Sequence, residues 1–113
     1  MKPSTRSKGS QGEEFAARFL SGRGYRIVAR NVRVPGGEID LVCLDGPVLV
    51  FVEVKRRDTP TFGTALEAVD RRKRAKIRSI ALDYAQIVAP GRRIRFDVVA
   101  LDGNRMTLHR NAF

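Results

Sequence analysis

Gly37-Glu38-Ile39-Asp40-Leu41-Val42-Cys43-Leu44, then Asp45-Gly46-Pro47, then Val48-Leu49-Val50-Phe51-Val52-Glu53-Val54-Lys55, is the stretch that organises the rest of the chain. Residues 38–44 alternate in character. Ile39, Leu41 and Cys43 fall on one face and Glu38, Asp40, Val42 and Leu44 on the other, the period of a β-strand. Asp45-Gly46-Pro47 reads as a tight turn, so the following strand, Val48 to Lys55, returns antiparallel. That strand is apolar on both faces until its far end. Such a run belongs in the middle of a sheet covered on both sides.

Upstream, Ser10 with Glu13 three residues later forms a capping-box pattern, which predicts a helix start. The helix runs to about Ser21, where Gly22 and Gly24 stop it. Residues 1–9 read as a flexible basic arm ahead of a single domain spanning 10–113. Tyr25 to Val34 is a strand ended by Pro35-Gly36-Gly37. Downstream, a loop from Arg56 to Gly63 leads to a second helix, with Thr64 and Glu67 as a second capping-box pair. Leu66, Val69, Ile77, Ile80, Ala81 and Tyr84 carry its apolar period to about Ala85. Ile94 to Leu101 and Arg105 to His109 are strands around an Asp102-Gly103-Asn104 turn. The predicted order is α-β-β-β-α-β-β, an α/β domain with a mixed sheet and helices packed on it.

A chain of 113 residues fits one domain. Its longest apolar run, Val48 to Val52, is far short of the roughly 20 residues of a membrane helix, and the polar N-terminus does not read as a secretory signal. One cysteine, Cys43, excludes an internal disulfide framework and a cysteine-rich zinc site. It is expected in the core beside Ile39 and Leu41. These features fit a reducing, cytoplasmic setting without a membrane partner. Twenty-two Lys and Arg against twelve Asp and Glu give a net charge of +10, which favours a polyanionic partner. A merely basic surface, or a ribosome-associated protein, would show the same excess.

Several charges fall where burial makes them costly. Glu53 and Lys55 share one face of the central strand, and Glu38 and Asp40 share a face of its neighbour. If the turn pairs Leu44 with Pro47 or Leu49, Asp40 lies beside Glu53 with both side chains to one side. A three-residue loop would separate them onto opposite faces. Adjacent carboxylates repel unless a cation intervenes. An oxygen-only cluster suits Mg²⁺ or Mn²⁺, and Lys55 can stabilise charge or position a water beside it. An ordinary Lys-Glu pair sealing a sheet end would also account for Glu53 and Lys55.

Glu13 lies on the apolar stripe of the first helix with Ala16, Ala17 and Leu20, whereas Glu14 neighbours Arg18 and Ser21 on the polar side. Lys73, four after Val69 and four before Ile77, projects from the apolar stripe of the second helix. Capping would explain Glu13, and snorkelling would explain Lys73. Together, an inward acid and an inward base facing a carboxylate-lined strand end suggest a catalytic cluster. Arg71, Arg72, Lys73, Arg74, Lys76 and Arg78 put six cations into eight residues, a phosphate-tracking surface or a solvated one. His109, the sole histidine, has no evident partner and reads as structural.

Gly12-Glu13-Glu14-Phe15-Ala16-Ala17, Gly24-Tyr25, Asn31, Gly37-Glu38-Ile39-Asp40-Leu41, Phe51-Val52-Glu53-Val54-Lys55, Phe62-Gly63, Ala68-Val69 leading to Lys73, and Arg95-Phe96-Asp97-Val98-Val99 occur in order. Together they resemble the YraN-like family of small bacterial proteins. That family looks like a relative of archaeal Holliday-junction resolvases in the PD-(D/E)xK, restriction-endonuclease-like superfamily. The resemblance implies a Mg²⁺- or Mn²⁺-dependent endonuclease acting on structured or branched DNA, and a homodimer. It implies metal ligation by Glu13, Asp40, Glu53 and the carbonyl of Val54. Lys55 would orient the attacking water or stabilise charge at phosphorus, and Lys73 would be an auxiliary base or phosphate contact. Glu38 would salt-bridge to an arginine. Arg56, Arg71, Arg72, Lys73, Arg74 and Lys76 are the candidate nucleic-acid contacts. The proline of the superfamily's name is absent, Ile39 preceding Asp40, as in resolvase-like members. Ala65 stands where proline is more usual. The rival expectation is a nucleic-acid-binding module that keeps the fold without cleaving.

Overall fold

The centre of the computed structural model is the strand Val48–Arg57 (β3), flanked by Gly37–Asp45 (β2) and Ile94–Asp102 (β4). Arg26–Val34 (β1) and Arg105–His109 (β5) form the two edges, so the sheet runs β1-β2-β3-β4-β5. The structure describes residues 7–57 and 71–113. All neighbours are antiparallel except β3 and β4, which are parallel. Parallel strands cannot be joined by a tight hairpin, and the second helix, Arg71–Val88 (α2), falls between these two in sequence. The first helix is Ser7–Gly22 (α1).

Alternation along β2 and β3 explains why each sheet face carries a helix. Leu41, Cys43, Val50 and Val52 pack with Ala16, Ala17 and Leu20 of α1. Val42, Leu49 and Phe51 pack instead with Ile77, Ile80, Ala81 and Ala85 of α2. The result is three layers, helix on sheet on helix, as two apolar sheet faces require. Phe51 anchors the α2 side, edge-on to Tyr84 at 6.1 Å and stacked on Phe96 at 5.6 Å. Burying a side chain of that size contributes on the order of 1.5–3 kcal/mol. Cys43 is fully buried, as its place in the alternation predicts, and burial pushes its thiol up to about 12.

Four sequence expectations are corrected. α1 begins at Ser7, not after Ser10, so the last residues of the expected arm are helical and Glu13 sits on the second turn rather than in a capping box. α2 continues to Val88, three residues past Ala85. β3 continues through Arg57, because Arg56 and Arg57 pair with Leu101 and Asp102; Arg56 is therefore a strand residue, not a loop one. Ile39 packs on the α2 side with Val42, away from Leu41 and Cys43. Strict alternation breaks between Ile39 and Leu41, directly opposite Asn31, which adopts φ 51 within β1. Asparagine tolerates this left-handed conformation better than most residues. The expected cap at Thr64 and Glu67, and the apolar positions Leu66 and Val69, lie outside the described residues, as do Phe62-Gly63, Ala65 and Ala68.

Candidate active site

Register brings the two carboxylates together. Leu44 pairs with Leu49 and Asp45 with Val48, so the turn between β2 and β3 holds two residues, Gly46 and Pro47. Gly46 has φ 60, as the first central position of a II′-type hairpin requires. Counting back along the same register sets Asp40 opposite Glu53, with side chains on one side. The backbone ladder stops one pair earlier, at Leu41 and Val52. Past that point the Asp40 carboxylate takes over, and the Val54 N–H donates to Asp40 Oδ2 at 2.9 Å. In an extended residue N–H and C=O point to the same side, so the Val54 carbonyl also faces the β2 side.

Glu53 is buried to 6 % exposure. A carboxylate at that depth is costly without a charged partner, and Lys73 of α2 supplies one, Nζ to Oε2 at 2.6 Å. The inward-facing Lys73 is therefore an ion-pair partner rather than a snorkelling surface lysine. Asp40 is pushed up to about 8, first by burial and then by the negative charge of Glu53, against the Val54 hydrogen bond that favours its ionised form. Lys55, two residues beyond Glu53, is held below its usual range by the adjacent Lys73 ammonium and by burial. Burial also pulls Lys73 down, but its bond to Glu53 and its contact with Lys55 outweigh that and leave it raised. The four side chains form one electrostatic unit, in which Glu53 is paired with Lys73 and the raised Asp40 keeps its proton up to about pH 8.

Glu13 of α1 also acts on this unit. Its negative charge is the smallest of the effects that raise Asp40. Among the described residues no three His, Cys, Asp or Glu side chains are gathered to hold a metal ion. Asp40 and Glu53 are the two expected carboxylate ligands that the hairpin register sets side by side. These suit Mg²⁺, which is commonly held by one or two carboxylates together with waters and substrate phosphates.

The expected nucleic-acid contacts divide. Arg72, Lys73 and Lys76 line a groove of about 410 Å³ with Gly37, Glu38 and Ile80, beside the carboxylates. Arg78 instead lies over the Phe96 ring at 4.8 Å. Arg56 is exposed and Arg74 half-buried; the Arg71 side chain lies outside the described set. Glu38 meets Arg33 (Nε to Oε2, 3.8 Å), the arginine partner expected of it. Glu14 bonds Arg30 and Arg18 on the polar side of α1. His109 does have a partner, Thr107, at 3.1 Å.

One polar cluster escaped the sequence reading. Asp97, fully buried in β4, accepts hydrogen bonds from Tyr25 Oη (2.7 Å), Arg95 Nε (2.9 Å) and Nη2 (3.0 Å), and the Asn111 N–H (2.8 Å). Arg95 also reaches Asp45 at 2.9 Å. The signal was an Arg-x-Asp inside the otherwise apolar run from Ile94 to Leu101. The cluster lies on the α1 side, with Tyr25 and Cys43, and ties four chain segments together.

Comparison with known proteins places the chain. Residues 12–101 match the family described as Uncharacterised protein family UPF0102. The chain belongs to the UPF0102 family. This is the YraN-like family that its motifs resemble. A UPF0102 protein of Moorella thermoacetica is 47% identical over 102 residues, covering 89% of this chain and 85% of its own. One from Halorhodospira halophila is 45% identical over 108 residues, covering 96% and 88%. One from Shewanella loihica is 42% identical over 107 residues, covering 95% and 94%. The stretch matched to UPF0102 includes Glu13, Asp40, Glu53, Lys55, Lys73 and Asp97.

Proposed function

We propose that this UPF0102 protein is a metal-dependent endonuclease of the PD-(D/E)xK, restriction-endonuclease-like type that hydrolyses phosphodiester bonds in structured or branched DNA. The observation that carries the reading is the placement of Asp40 opposite Glu53 at a strand end, with Lys55 two residues further on and Lys73 bonded to Glu53. Asp40 and Glu53 would hold the divalent cation, with the Val54 carbonyl on the same side. A cation bound there supplies activation of water and neutralisation of the developing oxyanion.

The chain's own groups do the rest. Asp40 stays fixed by the Val54 N–H, which limits its rotation. Lys55, held below the usual lysine range, positions the attacking water or the phosphoryl oxygens. Water oxygen bonds to phosphorus as the bond to the leaving sugar oxygen breaks, and that oxygen takes up a proton. Arg72 and Lys76, in the adjoining groove, neutralise flanking phosphates, and the net charge of +10 supplies long-range attraction. The branched-DNA preference rests on likeness to resolvases alone. Cutting two symmetric strands would call for a homodimer, and the reading assigns the protein to the cytoplasm.

A second reading, a nucleic-acid-binding module without cleavage, draws on the Lys73 pair, which gives Glu53 a counter-charge with no added ion. Labelled linear, single-stranded, flap and four-way-junction DNAs incubated with Mn²⁺ or Mg²⁺ separate the two. The enzyme cuts at least one of them, and Asp40→Asn abolishes cutting while DNA binding persists. If wild type cuts none and both proteins bind alike, the module reading replaces the enzyme.

A further inference from the structure

Lys73 holds the position on Glu53 that a divalent cation needs. Its Nζ is 2.6 Å from Oε2, the distance of a fully formed ion pair, on a carboxylate with 6 % of its side chain exposed. While that contact stands, a divalent ion has to share the Glu53 carboxylate with the ammonium on Oε2. Adding a divalent ion without removing the ammonium would also leave a half-buried site carrying an uncompensated double positive charge, with Lys55 alongside. Such an excess is costly in a low-dielectric environment.

Lys73 has somewhere to go. Its side chain is 39 % exposed, and it lines the groove shared with Arg72, Lys76 and Glu38. The groove offers the Glu38 carboxylate, and any bound phosphate, as alternative partners for the ammonium. A lysine stem with four rotatable carbons can swing between the two without moving the helix.

We propose that Lys73 is an exchangeable counter-ion: a divalent cation binding Asp40 and Glu53 displaces the Lys73 ammonium from Glu53 into the groove, where it meets the substrate's phosphate backbone. This inference rests on the metal-dependent reading above. It makes Lys73 a competitor of the metal and couples metal occupancy to phosphate binding through one side chain. No covalent bond changes; one cation replaces another on the same oxygen.

The test is Mn²⁺ binding to the full chain without DNA, followed by electron paramagnetic resonance of free Mn²⁺, for wild type, Lys73→Met, Lys73→Arg and Asp40→Asn. Removing the competing charge in Lys73→Met should tighten Mn²⁺ binding about fivefold or more. Lys73→Arg, which keeps a cation against Glu53, should not tighten it, and Asp40→Asn should lose binding. In wild type, the Lys73 ¹⁵Nζ resonance should shift on titration with Mg²⁺, and should stay put in Asp40→Asn. Equal or weaker Mn²⁺ binding by a folded Lys73→Met overturns the exchange while leaving the metal site standing. If Lys73→Met does not fold, an unmoved ¹⁵Nζ resonance in Mg²⁺-saturated wild type overturns it instead. Absence of Mn²⁺ binding in all four proteins overturns the metal-dependent reading and the exchange with it.

Discussion

The Val54 N–H donates to Asp40 Oδ2 at 2.9 Å, so a side-chain carboxylate completes the β2–β3 ladder one residue beyond its last backbone pair. The contact has two consequences. It satisfies an amide that would otherwise be left at the end of a buried strand. It also fixes the carboxylate beside Glu53, where its charge is least welcome, so Asp40 is at once a structural cap and an electrostatically strained acid.

The strain gives a pH dependence with a definite sign. Without divalent ions, Asp40 is raised from 3.8 to about 8, so the folded state binds its proton more tightly than the unfolded state. The resulting stabilisation is complete below about pH 4 and declines as pH rises through about 8. Asp40→Asn can still accept from Val54 and should remove this part of the slope. Urea unfolding of both proteins with chelator present, from pH 4 to 9, measures it. Parallel stability profiles would mean that Asp40 ionises freely.

Asn31 is expected to tolerate glycine and reject valine. Its φ of 51 costs a β-branched residue on the order of 1–2 kcal/mol, whereas glycine adopts it freely. Asn31→Val should lose about that much stability and disturb Asp40 across the strand pair; Asn31→Gly should stay within about 0.5 kcal/mol of wild type. Denaturant midpoints, with the Val54 amide resonance as a local reporter, check both.

Asp97 should matter to folding rather than to chemistry. Asp97→Ala removes the acceptor shared by Tyr25, Arg95 and the Asn111 N–H and leaves Arg95 with Asp45 as its carboxylate partner, a loss of about 2–3 kcal/mol. Tyr25→Phe removes one hydroxyl that both donates to Asp97 and accepts from Arg95, for about 1 kcal/mol. The Tyr25 hydroxyl, pushed up to about 12 by burial and by Asp97, remains the donor across the ordinary pH range. Thermal unfolding distinguishes the two variants, and Mn²⁺ affinity of Tyr25→Phe should match wild type.

The groove makes a salt-dependent prediction. Each phosphate contact released lowers the slope of log K against log[salt] by roughly 0.9 on duplex DNA. Replacing Arg72 and Lys76 by glutamine should therefore reduce the slope by about 1 to 2. DNA-binding titrations at several salt concentrations provide the value. An unchanged slope would place the nucleic acid elsewhere on the basic surface.

Much of the architecture was legible in local patterns. Period-2 alternation and turn residues located each strand among the described residues, and β5 spans the expected Arg105 to His109. The doubly apolar character of residues 48–52 placed β3 at the centre, because only a strand covered on both faces can bury such a run. The end of β3 was harder to read: Arg56 and Arg57 look like loop residues alone, and their pairing with Leu101 and Asp102 holds them in the sheet.

The candidate site divides along the same line. Residue types and spacing alone identified Asp40, Glu53, Lys55 and Lys73 as charges aimed at apolar surfaces, since periodicity is a local property of the chain. Whether Asp40 met Glu53 depended on one residue of turn length, and the register of the folded hairpin settled it. The bond from Lys73 to Glu53 joins residues 20 apart in sequence, and the Tyr25–Asp97 bond spans 72. No local pattern encodes such partners, because they exist only once helices pack on opposite sheet faces. Register set Asp40 beside Glu53, and the packing of α2 closed the pair with a lysine.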